Sequence, residues 1–173
     1  MRIFLTGFMG CGKSYSGSYL SERGGWTFID LDDYIVQSQG KSIATIFAEG
    51  GEEAFRTIEA EALRTVGQTQ QLIVATGGGT PCFYQNMDWM NQHGKTIYLK
   101  APAWLLQKRL VHQSEQRPLI AGKSAEELIQ FIEKKLLERE RFYSEAQMIY
   151  FLQEKESQNL EGLSYVVEHL IGT

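Results

Sequence analysis

Gly7-Phe8-Met9-Gly10-Cys11-Gly12-Lys13-Ser14 has the spacing G-x-x-x-x-G-K-[ST]. Glycines so placed let backbone N–H groups turn inward around phosphate oxygens. The lysine then reaches the β- and γ-phosphates, and the hydroxyl takes a place on Mg²⁺. A helix that follows points its positive end at the same anion. Gly10, Cys11, Gly12, Lys13, Ser14 and Tyr15 are therefore candidate nucleotide-binding residues, with Ser14 also a candidate metal ligand. The alternative is a Gly-rich turn with a solvated lysine, and the apolar strand before the loop argues against it. Cys11 has no histidine nearby and reads as a small loop residue rather than a nucleophile. Neither an Asn-Lys-x-Asp element nor an Asp-x-x-Gly after a strand is present, which disfavours a guanine-nucleotide switch and favours a small kinase acting on a metabolite.

The acceptor side starts at Asp30-Leu31-Asp32. If these residues end a strand, carboxylates two apart share one face at the edge where open α/β sheets bind ligands. Asp30 would then hold a metal-bound water, and Asp32 would take a proton from an acceptor hydroxyl. The plainer role, capping the next helix, fits Asp33 better than Asp32. Arg56 lies four residues after Glu52 and three before Glu59. That spacing suits an exposed helical ion pair as well as a guanidinium that grips a ligand carboxylate, and leaves both open. Gly77-Gly78-Gly79 after a strand allows backbone to approach a ligand closely. Arg117 stands in a polar stretch, 111–124, where a solvated arginine and a lid that closes over phosphates are both open. Arg139 and Arg141 fall at the end of a helix, where the helix dipole alone would favour them.

Short apolar runs at 2–6, 26–30, 72–76, 96–100 and 148–151 read as buried strands. Helical patterns lie between them at 13–23, 32–66 (broken at Gly40 and Gly50-Gly51), 83–92, 102–110, 125–141 and 160–171. The alternation predicts an α/β fold with a mainly parallel sheet. The 173 residues suit one domain, and 43% hydrophobic content suits a globular chain. A net charge of −4 with no basic run argues against a nucleic-acid partner. No segment has the length of a signal peptide or membrane span, and two cysteines make no disulfide scaffold. The expectation is a cytoplasmic monomer acting on small molecules.

The ordered set GFMGCGKS, Gly17, DLD, SIATIFAEGGEEAFRTIE, ATGGG, KRLVHQSEQRPLI and RERFYSEA resembles the shikimate kinase family from Met1 to about Tyr150. The resemblance implies a three-layer P-loop, nucleoside-monophosphate-kinase-like fold with five parallel strands in the order 2-3-1-4-5. It implies one kinase domain over 1–173, with a shikimate-binding helical segment at about 32–62 and a lid at about 111–124. It also implies transfer of the ATP γ-phosphate to the 3-hydroxyl of shikimate, with Mg²⁺. Asp32 matches the proposed base and hydroxyl ligand, and Asp30 the position near the metal. Arg56 and Arg139 match the residues that grip the shikimate carboxylate, and Gly78, with its neighbour Gly79, offers backbone to the substrate. Lys13 and Arg117 match the phosphate-binding lysine and the lid arginine, and Arg109 a residue on the adenine side. Tyr15 stands where Thr is common, and Arg141 where Pro is common; register from Tyr143 keeps the carboxylate role on Arg139. A gluconate-kinase-like enzyme shares loop and size but lacks the TGGG and RPLI elements, and a non-catalytic nucleotide-binding module would not need Asp32 and Arg117.

Overall fold

The structure, a computed structural model, describes residues 1–111 and 119–172. Five strands, β1 (Arg2–Thr6), β2 (Thr27–Asp30), β3 (Leu72–Ala75), β4 (Lys95–Lys100) and β5 (Met148–Phe151), form one sheet in the order β2-β3-β1-β4-β5. Every neighbouring pair is parallel, and Ile3 of β1 lies opposite Ile73 on one side and Lys95 on the other. Both the strand positions and the expected order are met. Parallel neighbours need long crossovers, and helices supply them.

The helices are α1 (Lys13–Gly24), α2 (Leu31–Gln39), α3 (Ile43–Val66), α4 (Asn86–His93), α5 (Ala103–Leu110), α6 (Ala125–Tyr143) and α7 (Glu156–Gly172). Successive strand side chains point to opposite faces, so the core divides across the sheet. Ile3, Leu5, Ile97 and Leu99 pack on one side with Leu106, Leu128 and Leu163. Phe4, Leu72 and Val74 pack on the other with Leu31, Leu63 and Met90. Burial on both sides explains why the central strands are continuous apolar runs rather than alternating ones.

Local signals set the helix ends. Gly25 and Gly40 close α1 and α2 in the left-handed conformation, and Ser124 with Glu127 forms a capping box at the start of α6. As expected, the helical stretch 32–66 breaks at Gly40 into two helices, and α3 kinks at Gly51 (φ 73°, ψ −175°). Three expectations change. Asp30 and Asp32 do not share a strand face, because α2 already begins at Leu31. The cap is neither Asp32 nor Asp33 but Asp30, whose side chain accepts from the Asp32 N–H at 3.0 Å. The helix expected from residue 83 starts only at Asn86, after a 3₁₀ turn at Thr80–Cys82. Among the described residues, no helix is long and apolar enough to cross a membrane.

Candidate active site

The loop between β1 and α1 leaves the carboxyl end of the central strand. Gly7 has φ 135°, and a Cβ there would lie 2.8 Å from Leu99 O, so only glycine fits this approach to β4. Lys13 is buried, and its Nζ donates to Gly7 O (2.8 Å) and Phe8 O (3.1 Å), which folds the loop around the ammonium. The Cys11 thiol is buried 3.8 Å from Lys13 Nζ and takes a packing role, as its size suggested. Gly12 precedes α1 and carries no capping side chain, so the first amides of the helix face the cleft. Arg109 reaches the outer side of the loop, with Nη1 donating to Gly10 O at 3.4 Å and Cys11 O at 3.3 Å.

These residues border a cleft of about 620 Å³ that also takes in Tyr15, Asp30, Asp32 and Glu156. Ser14 Oγ donates to Asp30 Oδ2 at 2.5 Å, so the two expected metal ligands are adjacent. Asp30 thus uses one oxygen to cap α2 and turns the other to the P-loop. Two hard oxygens beside a phosphate-binding loop fit Mg²⁺, which takes few ligands from protein and the rest from water and phosphate.

A second hollow, of about 290 Å³, adjoins the first and shares Met9, Asp32, Gly77 and Gly78 with it. Arg56, Glu59 and Arg139 line it together with Phe47 and Phe55. Asp32 stands where the two spaces meet. Its carboxyl opens onto the cleft while protein crowds its other sides. Partial desolvation, then the neighbouring Asp30 and Glu59 carboxylates, push its pKa up to about 6; Lys13 acts in the opposite direction.

Arg56 makes both helical pairs that its spacing allowed, but not on an exposed face. It is 7% exposed, with Nη1 2.8 Å from Glu59 Oε2 and Nη2 3.2 Å from Glu52 Oε1. Arg139 enters from α6, and its Nη1 donates to Gly78 O at 3.2 Å. Arg141, two residues on, points away from this hollow: it is exposed and lies over the Phe142 ring at 4.5 Å. Of the two arginines, Arg139, the one chosen by register from Tyr143, is the one that lines the hollow. Gly79 earns its place by contact, since a Cβ there would lie 2.6 Å from Arg56 Nη2. Arg117 falls outside the described residues, as does half of the stretch expected to form a lid, 112–118.

Three contributors were not among the site residues expected from the sequence. Glu59 is buried and accepts from both Arg56 and the Thr80 hydroxyl, the latter at 2.5 Å. Tyr143 sits four residues after Arg139, a spacing that hinted at a shared face. Thr80 carries no pattern that would single it out.

A P-loop, a carboxylate at its edge and two arginines in an adjoining hollow describe a phosphotransfer site for an acidic acceptor. The family model described as shikimate kinase matches residues 9–171. The chain belongs to the shikimate kinase family. It is 45% identical over 152 residues to the shikimate kinase of Azobacteroides pseudotrichonymphae genomovar. CFP2, covering 87% of this chain and 89% of that relative. The crystal structure of shikimate kinase from Bacteroides thetaiotaomicron superposes with a TM-score of 0.93 at 37% identity, covering 100% and 99% of the two chains. Shikimate kinase from Acinetobacter baumannii, in complex with shikimate, superposes at 0.84 with 30% identity over 98% and 92%. The shikimate kinase family thus accounts for the five-stranded parallel order and for the P-loop at its centre.

Proposed function

We propose that this chain transfers the γ-phosphoryl group of ATP to the 3-hydroxyl of shikimate, yielding shikimate 3-phosphate and ADP. The observation that carries this reading is the position of Asp32, which lines both the P-loop cleft and the hollow that holds Arg56 and Arg139. An acceptor whose carboxylate meets the two guanidiniums places a ring hydroxyl toward Asp32 and the P-loop. Asp32 orients that hydroxyl and takes its proton as the phosphoryl group departs. Gly78 and Gly79 let backbone lie against the ring. Lys13 and the amides of Gly10, Cys11, Gly12, Ser14 and Tyr15 hold the phosphates, and Arg109 borders the nucleotide. Ser14 and Asp30 would hold Mg²⁺, directly and through water, and the ion supplies charge neutralisation at the β- and γ-phosphates. Arg117 is assigned on its sequence match to the same phosphates. Most of the rate enhancement is positioning and electrostatics.

We further propose that the chain works as one kinase domain, with acceptor recognition in 32–62 and a lid in 111–124, as a cytoplasmic monomer. Its partners are shikimate and ATP. The net charge of −4 supports no nucleic-acid or membrane-surface role. A coupled ADP-release assay with shikimate, gluconate, AMP or no acceptor tests the reading. Turnover with shikimate alone is expected, and turnover with gluconate or with no acceptor would replace it.

A further inference from the structure

Residues 83–85 have helical sequence character but do not form helix. Phe83 is extended (φ −126°, ψ 156°), and Tyr84 (φ 49°) and Gln85 (φ 53°, ψ 31°) are both left-handed before α4 begins at Asn86. Two consecutive non-glycine residues in that region are disfavoured and persist only where surrounding contacts impose them. Here the contacts come from α3, the helix that carries Arg56. The Tyr84 hydroxyl bonds to the Glu53 carboxylate and lies 3.1 Å from Thr57 Oγ1. Arg64 Nη2 donates to Tyr84 O at 3.1 Å, and its Nη1 bonds Asn86 Oδ1. The turn is thus fastened to α3 on both sides of Arg56. Its effect is to set the Phe83 ring 4.3 Å from Arg56 Cζ, closer than Phe55 at 5.1 Å.

We propose that Phe83 is a positioning residue for Arg56, held over its guanidinium by the left-handed Tyr84–Gln85 turn. Glu52 and Glu59 engage the guanidinium edge, which leaves rotation about the line of those bonds to be fixed by what packs on its face. An aromatic face does so and adds attraction for the cation. The inference rests on the acceptor reading above, in which Arg56 meets the substrate carboxylate. A guanidinium that is already oriented loses less freedom when the acceptor binds.

Steady-state kinetics of the full chain with shikimate and ATP tests this in wild type, Phe83→Leu, Phe83→Met and Phe83→Tyr. Leu and Met keep apolar bulk without a π face, and either one serves if the other folds poorly. The non-aromatic variants are expected to raise the shikimate KM roughly three- to thirty-fold, the range that a cation–π contact of this kind spans. The ATP KM stays within about two-fold, and Phe83→Tyr stays near wild type. An unchanged shikimate KM in Phe83→Leu or Phe83→Met, equal losses for shikimate and ATP, or a Tyr variant as poor as Leu overturns the proposal while leaving the acceptor assignment intact. A wild-type enzyme inert with shikimate overturns the acceptor assignment, and this inference with it.

Discussion

The hydroxyl of Tyr143 donates to the carbonyl of Gly78 at 2.5 Å, and Arg139, one helical turn earlier, donates to the same oxygen at 3.2 Å. The last turn of α6 is thereby tied to the glycine loop after β3, and the tie fixes where Arg139 can point. Tyr143 is fully buried, and burial raises its phenol pKa well above the usual range, so it acts as a neutral donor. Tyr143→Phe keeps the ring and removes one donor while Arg139 still serves the carbonyl. The expected loss is about 1 kcal/mol, read as a lower urea midpoint at unchanged slope.

Gly79 has φ −95° and ψ −19°, a conformation alanine adopts freely, so Gly79→Ala is a steric probe of Arg56 alone. The added methyl meets the guanidinium at 2.6–2.8 Å and must displace it. Shikimate KM should rise about tenfold or more, a loss of roughly 1.4 kcal/mol in binding, with the ATP KM little changed. Equal effects on both substrates would show that the loop as a whole had moved.

Asp32 must be ionised to accept a proton, and its pKa in the free enzyme is about 6. kcat/KM for shikimate, taken at MgATP well below its KM so that the ratio reports the free enzyme, should rise between pH 5 and 7 and flatten above. Asp32→Asn should reduce turnover by about 100-fold or more and leave ATP binding measurable by calorimetry. The same shift has a stability consequence. The folded state keeps a proton on Asp32 that the unfolded chain, with the ordinary value of 3.8, has released. The stabilising contribution is full below about pH 3.8 and is lost as pH rises through about 6. In the unliganded protein, the Tm of Asp32→Asn relative to wild type should therefore climb from pH 5 to pH 8.

Glu59 accepts from Arg56 and Thr80 in a site where it is 1% exposed. Removing it leaves a buried guanidinium with only Glu52, a half-open partner. Glu59→Ala should cost about 3–5 kcal/mol by urea unfolding, the usual result of breaking one side of a buried pair. Glu59→Gln, whose amide oxygen can still accept from Arg56 while its NH2 donates to the Thr80 hydroxyl oxygen, should cost clearly less. Similar losses in the two variants would mean that the pairing is not what holds the site together.

The central strands β1, β3 and β4 and the P-loop were legible in the sequence because burial on both faces writes an unbroken apolar run, and a phosphate cradle needs glycine at fixed steps. The edge strands β2 and β5, also read as buried, are partly exposed. Arg139 and Arg141 looked alike at the end of one helix, and the choice of Arg139 rested on the family resemblance, in register from Tyr143. Other features were hidden for identifiable reasons. Asp30 was read for its chemistry and proved also to be the helix cap, since one carboxylate has two oxygens to spend. Glu59 looked like half of a surface ion pair because spacing along a helix says nothing about which face is covered. Residues 83–85 carried helical character, but the bonds that Tyr84 makes to Glu53, Thr57 and Arg64 override it. Those bonds join residues some 20–31 positions apart, beyond the reach of local pattern.

The placement of β1 bears on how the chain is made. β1 is translated well before the strands that flank it, which begin at Leu72 and Lys95. Until β4, Lys95–Lys100, has been translated, Ile3, Phe4 and Leu5 have no sheet on at least one side. Parallel partners so distant pair slowly, and an unpaired apolar strand is open to other nascent chains meanwhile. The residues that make the strongest centre for the finished sheet are also its longest-exposed liability during synthesis.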